Sequence, residues 1–211
     1  IGVIGAGTMG NGIAQVCAVA GFNVTLIDIA DSALQKALAT VGKNLDRQVS
    51  KGTLSEEQKW AALDKIATST DYASLHGVQL VIEAATENLD LKLRLLQQAA
   101  AQVSSECVIA SNTSSLSITQ LAASVSHPER FIGLHFFNPV PVMALIEVIR
   151  GLQTSDATHA LALAMAERLG KTAITAGNRP GFVVNRILVP MINEAVLVLQ
   201  EGLASAEDID A

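Results

Sequence analysis

The chain has 211 residues, half of them hydrophobic, 16% charged and only 3% aromatic, with a formal net charge of −6. That composition supports a sizeable core built from Ala, Leu, Val and Ile and excludes extensive disorder. The acidic balance, with no basic stripe to neutralise phosphates, argues against a nucleic-acid binder, and no apolar run approaches the roughly eighteen residues of a membrane span.

From the first residues, apolar Val3 and Ile4 form a strand that runs into Gly5-Ala6-Gly7-Thr8-Met9-Gly10, and a helical pattern (Ile13, Ala14, Val16, Cys17, Ala20) follows. A second apolar run, Val24-Thr25-Leu26-Ile27, ends in Asp28. Strand, glycines, helix and a distal acid together make a dinucleotide-binding signature, whereas the glycines alone would be weak. Gly5 permits the tight turn, Gly7 lets the backbone approach a pyrophosphate, and Gly10 lets the helix pack close to its strand. The free N–H groups opening the helix, at Thr8 and Met9, face the phosphates. Asp28 lies about twenty residues on, where a carboxylate accepts from a ribose diol and repels a 2′-phosphate, so NAD is expected over NADP.

Asp31 is expected to cap a helix carrying Leu34, Leu38, Val41, Leu45 and Val49, ended by Gly52. Ser55-Glu56-Glu57-Gln58 resembles a capping signal for a second helix, with Trp60, Leu63 and Ile66 on its inner face. Leu80-Val81-Ile82, ending in Glu83, reads as a strand buried on both faces. A helix over 89–103 and a strand over 107–110 come next. Residues 131–136 and 145–149 form two further strands joined by Asn138-Pro139-Val140-Pro141. That connection is too short for a crossover helix, so the two strands are expected to be antiparallel neighbours. A helix over 157–169 ends at Gly170, residues 172–176 form a last strand, and the pattern changes at Gly177-Asn178-Arg179-Pro180-Gly181. Beyond it, 182–199 is one long helix apolar on more than one stripe, which needs partners on several sides.

Alternating strands and helices with near-continuous apolar strands predict an α/β, Rossmann-type doubly wound, mostly parallel sheet, followed by the start of an all-α C-terminal domain. The expected boundary divides 1–178 from 179–211. The chain starts inside a strand without Met and stops just after a helix-start signal, Ser205-Ala206-Glu207-Asp208, so a trimmed chain is expected. The two cysteines, Cys17 and Cys107, sit among apolar residues without metal-ligand spacing. They read as reduced core residues of a cytoplasmic protein, and no metal site is expected.

In doubly wound folds the chemistry sits at the carboxyl ends of the strands. Those ends carry the polar cluster 83–88 and the five consecutive hydrogen-bonding side chains Ser111-Asn112-Thr113-Ser114-Ser115, more than a helix cap requires. His135 ends another strand among apolar neighbours, and Glu147 is an acid inside an otherwise apolar one. In an antiparallel hairpin around 138–141 the two come opposite each other. The carboxylate then fixes the imidazole tautomer and raises the basicity of its other nitrogen. Such a pair beside a nicotinamide suits removal of an alcohol proton as hydride departs.

These motifs, with Asn138-Pro139-Val140-Pro141-Val142-Met143, Glu147-Val148-Ile149 and Pro180-Gly181-Phe182-Val183-Val184-Asn185-Arg186, resemble the L-3-hydroxyacyl-CoA dehydrogenases along the whole chain, most closely the 3-hydroxybutyryl-CoA type. The resemblance implies reversible NAD-dependent oxidation of an acyl-CoA substrate in fatty-acid β-oxidation. It implies that His135 is the base, Glu147 its partner, Ser114 the group on the substrate 3-oxygen and Asn185 a group near the acyl chain. Asn138 would shape the same pocket, Glu87 and Lys92 would lie near the nicotinamide ribose, and Lys51 near the CoA phosphates. Many members carry Lys where this chain has Ala144, with no chemical role evidently lost. A homodimer through the C-terminal helical domain is implied as well. Three alternatives stay open on sequence: a segment of a multifunctional fatty-acid oxidation protein, a non-catalytic crystallin-like relative, and a dehydrogenase of another substrate class.

Overall fold

A computed structural model describes residues 1–211. Strand β1 (Gly2–Ile4) enters the glycine turn and helix α1 (Thr8–Val19) leaves it. Then come β2 (Val24–Ile27), α2 (Asp31–Ser50), α3 (Glu56–Leu63) and β3 (Ile66–Ser69), which complete the first half of the sheet. The second half contains β4 (Leu80–Glu83), α4 (Leu89–Ala100), β5 (Val108–Ser111), the short α5 (Ile118–Ala122) and β6 (Phe131–Phe136). It closes with β7 (Leu145–Arg150), α6 (Asp156–Arg168) and β8 (Thr172–Gly177), after which α7 (Val184–Gln200) and α8 (Ala206–Asp210) leave the sheet.

The eight strands lie in the order β3-β2-β1-β4-β5-β6-β7-β8. Strands β1 to β6 are mutually parallel, β7 runs antiparallel to β6, and β8 runs parallel to β7. This is the doubly wound α/β architecture expected from the sequence. The antiparallel step falls at the proline-rich connection 138–141, because too little chain is available there to return to the starting edge.

Side chains alternate between two cores, as the two-residue period of a strand requires. Val3, Ile82, Ala110, Leu134 and Val148 pack on one face with Ile13, Cys17 and Val41. Ile4, Val81, Ile109, Phe131 and Ile149 pack on the other with Leu96, Ile118 and Leu121.

Four local expectations need correction. Asp31 is the first residue of α2 rather than its cap; Ala30 precedes it and makes no side-chain capping bond. Ser55 does form the expected capping box, accepting from Gln58 N while the Gln58 side chain accepts from Ser55 N. However, Trp60 on that helix is 57% exposed, not inward-facing, with the Lys59 ammonium 4.6 Å from its ring centroid. Ile66 belongs to β3, a strand the periodicity does not reveal, because Ile66 is its only buried residue. The last long helix begins at Val184; Phe182 turns before it in a left-handed conformation (φ 47°) and is itself buried. None of α7 is buried, so its apolar stripe lies open.

The glycine turn is fixed by contacts, not composition. Gly5 has φ +98°, and a Cβ there would stand 2.5 Å from Ala85 Cα. A Cβ on Gly10 would lie 1.7 Å from the Gly5 carbonyl oxygen. At Gly7 nothing lies within 4 Å of the same construction. Gly5→Ala therefore lowers folding stability by about 3 kcal/mol or more through strain and overlap, whereas Gly7→Ala costs about 1 kcal/mol or less as a change of helix cap. Urea denaturation of the two variants checks the difference, and equal losses would contradict the geometry.

Candidate active site

The strand register sets out a row of polar side chains. Glu83 pairs with Ser111, Ser111 with Gly133, and His135, two residues beyond Gly133, pairs with Glu147 on the next strand. Glu83, Ser111, His135 and Glu147 each stand an even number of residues from Val81, Ile109, Phe131 or Ile149 on their own strands. All four therefore point to the face that those apolar residues occupy.

His135 and Glu147 meet as the hairpin predicts: Nδ1 lies 2.7 Å from Glu147 Oε2, and the residues are 7% and 0% exposed. With the carboxylate accepting at Nδ1, the neutral imidazole carries its proton there and presents the Nε2 lone pair as a base. The rings of Phe137 and Phe182 flank it, with centroids 4.5 and 5.7 Å away. The other oxygen of Glu147 accepts from Val183 N at 2.9 Å and Val184 N at 3.0 Å, so one buried carboxylate holds both the imidazole and the start of α7. Asn185 is the next residue of that first turn and is half-buried.

Glu83 is a second fully buried carboxylate, and its partners differ. It forms an ion pair with the Lys92 ammonium, accepts from the Ser111 hydroxyl at 2.9 Å, and accepts from Ala85 N at 2.9 Å. Lys92 also donates to Ser111 Oγ at 3.2 Å and is 1% exposed. This ionic cluster fixes the β4–α4 loop, which carries Glu87. Glu87 accepts from Thr113 Oγ1 at 2.7 Å, from Ser114 N at 2.9 Å and from Ser114 Oγ at 3.2 Å, tying the β4 and β5 strand ends together. Asn112 extends the β5–β6 ladder with its side chain, accepting from Phe136 N at 2.8 Å beside the histidine.

A cleft of about 520 Å³ opens beside this row, lined by Gly5, Gly7, Thr8, Asp28, Asn138 and Val140 among others. Asp28 Oδ2 accepts from Ala6 N at 2.8 Å, so the glycine turn and the acid are locked together. The open space over Gly7, the N-terminus of α1 and the carboxylate of Asp28 in one cleft fit a dinucleotide with a free ribose diol. Met9 and Gly10 do not line the cleft, and Met9 packs on the core.

Of the residues singled out from sequence, the structure groups Gly5, Gly7, Thr8, Asp28 and Asn138 around the cleft, Glu87 with Ser114, and His135 with Glu147. Lys92 is committed to Glu83 and Ser111. Lys51 is exposed at the far end of the 20-residue α2, about 30 Å along the helix from its start near the cleft. The sequence placed Glu83 and Asn112 in polar clusters at strand ends without an individual role, and gave none to the amides of Val183 and Val184. Glu83 carried a signal close to that of Glu147, an acid in an otherwise apolar strand; the backbone donors carried none. Burial pushes the Cys17 thiol up to about 12 and that of Cys107 up to about 11, so neither serves as a nucleophile.

Residues 1–179 match the family model described as 3-hydroxyacyl-CoA dehydrogenase, NAD binding domain, and residues 181–211 match the C-terminal domain of the same family. The chain is 48% identical over its full length to 3-hydroxybutyryl-CoA dehydrogenase of Bradyrhizobium diazoefficiens, covering 72% of that protein. It is 44% identical to human mitochondrial hydroxyacyl-coenzyme A dehydrogenase, with 99% of this chain and 68% of that protein covered. Among solved structures, (S)-3-hydroxybutyryl-CoA dehydrogenase from Ralstonia eutropha superposes with a TM-score of 0.95 at 61% identity, over 98% of this chain and 73% of that one.

Removing the Glu147 side chain leaves three donors, the imidazole Nδ1–H and the amides of Val183 and Val184, without an acceptor. Glu147→Ala is expected to lower stability by about 3 kcal/mol or more, read as a shifted urea midpoint. A loss below about 1 kcal/mol would mean that α7 is held by something else.

Proposed function

The chain belongs to the 3-hydroxyacyl-CoA dehydrogenase family, and from that premise we infer that it oxidises an L-3-hydroxyacyl-CoA reversibly to the 3-ketoacyl-CoA with NAD. The observation that carries the mechanism is the buried His135–Glu147 pair, with Nδ1 tied to the carboxylate and Nε2 left as the base. NAD, when bound, supplies the acceptor for the hydride leaving C3 of the substrate. Gly5, Gly7, Thr8, Met9 and Gly10 form the turn that holds its phosphates, and Asp28 accepts from the adenosine ribose. Glu87 and Lys92 support the nicotinamide side of the site, Glu87 from the strand ends and Lys92 through Glu83 and Ser111.

His135 Nε2 takes the C3-hydroxyl proton in the oxidative direction, and Glu147 stabilises the imidazolium that forms. In reduction the imidazolium returns that proton to the developing alkoxide. Ser114 holds the substrate oxygen in line, and Asn138 and Asn185 shape the acyl pocket. Lys51 is assigned to the CoA phosphates on the family resemblance alone. Low exposure of His135 keeps bulk water from competing for the proton.

Short acyl chains are the proposed substrates, and β-oxidation-type chemistry the proposed setting, because relatives of high identity are 3-hydroxybutyryl-CoA dehydrogenases. We place the domain boundary at 178/179, next to the break between the two family matches, which cover 1–179 and 181–211. A homodimer through the helical segment is proposed from the open apolar stripe of α7, on which Ile187, Met191 and Val196 are at least 57% exposed. No helix is long and apolar enough to cross a membrane; a cytoplasmic location is proposed from two cysteines that are both free thiols.

Oxidation of NADH by acetoacetyl-CoA, followed by absorbance, tests the reaction. His135→Ala is expected to lower turnover by about two to four orders of magnitude with NAD affinity nearly unchanged; equal losses in both would make His135 structural. Asp28→Ala is expected to weaken NAD binding and relax discrimination against NADP. An unchanged NAD-to-NADP ratio of kcat/KM would contradict the ribose assignment.

A further inference from the structure

We propose that Lys171 is a positioning residue for the cofactor cleft, its ammonium holding the 138–144 connection that forms one wall of that cleft. The inference rests on the dinucleotide reading of the cleft and adds a residue from outside it.

Lys171 sits between α6 and β8, just after Gly170 (φ +66°). Its main-chain N–H bonds Ala166 O at 3.0 Å, which leaves the side chain free to cross to the 138–144 connection. There Nζ donates to Val140 O at 2.7 Å and to Met143 O at 2.6 Å. The connection has little means of organising itself. Pro139 and Pro141 lack N–H groups, and the internal bonds, from Val142 N and Met143 N, both end on Pro139 O. No backbone donor reaches the Val140 or Met143 carbonyls. Lys171 supplies those donors, and it does so without a carboxylate partner. Burial pushes its amine below the usual lysine range, so this ammonium is partly desolvated and its bonds to carbonyls are strengthened.

What the ammonium holds is pressed against α1, just past the dinucleotide turn. Val140 is 2% exposed, and a Cβ added at Gly12 on α1 would stand 2.9 Å from Val140 Cβ. Asn138, Pro139, Val140 and Pro141 face Gly5, Gly7 and Asp28 across the cleft. The same connection joins the strands of His135 and Glu147, but the paired register of β6 and β7 holds those two independently of it. Loss of the ammonium should therefore loosen the cleft wall and leave the acid–base pair in place.

The test is calorimetric titration of the full chain with NAD, alongside steady-state turnover. Lys171→Met keeps the stem and removes both donors; NAD binding is expected to weaken about tenfold, with turnover at saturating NAD unchanged. Lys171→Arg, still charged and with several donors, is expected to recover most of the loss. Equal NAD affinity in the native protein and Lys171→Met overturns the role of Lys171 alone. Failure of the native protein to bind NAD removes the cofactor reading and this inference together. A fall in turnover that Lys171→Arg does not rescue overturns the positioning role. Lys171→Gln, which keeps an amide donor, replaces the Met variant if that one does not fold; failure of both to fold makes Lys171 a structural support and likewise overturns it.

Discussion

A single carboxylate that never reaches water organises the active end of this sheet. An unpaired charge at such depth is unaffordable, so Glu147 must find donors for both oxygens. It finds them in two parts of the chain: the imidazole of His135 across the hairpin, and the amides of Val183 and Val184 at the start of α7. The first contact exists only because β7 reverses direction. Two prolines in a short connection forbid a crossover, the strands pair antiparallel, and position 147 falls opposite 135. A dyad that looks like a matter of catalytic residues is therefore, one step earlier, a matter of chain direction.

The second buried carboxylate shows how neighbours decide what an acid does. Glu83 closes β4 as Glu147 punctuates β7, and both are fully buried. Glu83 has a lysine as its counter-ion and a serine hydroxyl beside it, so its charge is neutralised locally and held rigidly. Glu147 has no lysine or arginine partner; its one side-chain partner is a group that can gain a proton. The first arrangement braces a loop, whereas the second sets a carboxylate where it would stabilise a proton taken up by His135. Both carboxylates lie on the same sheet face, so the brace and the base share one surface.

Much of this was legible in the sequence, for a definable reason. The glycine turn, the parallel strands, the hairpin and the His135–Glu147 pair all follow from local patterns or from a connection too short to offer choices. Errors arose where the local pattern was thin. Strand β3 has one buried residue, so no periodicity announces it, and Ile66 looked like the end of a helix. Trp60 is large and apolar, yet it projects into solvent beside Lys59, because α3 buries only Ala62. The resemblance alone places Lys92 near the nicotinamide ribose, and its partners Glu83 and Ser111 emerge only when β4 and β5 are set side by side. The backbone donors that serve Glu147, and the carbonyls that serve Lys171, have no side-chain identity and hence no sequence signal.

The open stripe of α7 sharpens the role of Glu147. Within these residues α7 buries no side chain, and its first turn is where it is tied to the sheet. There Phe182 is buried in a left-handed turn, Arg186 N bonds Gly181 O at 3.0 Å, and the amides of Val183 and Val184 end on Glu147. Asn185 follows within the same turn, so its position is referred to the carboxylate that also sets the tautomer of His135. Base and asparagine thus share one reference point, although fifty residues of sequence separate 135 from 185. A displacement of the helix start would disturb the hydrogen bonding of the base at the same moment, which makes the geometry of the two groups a single variable instead of two.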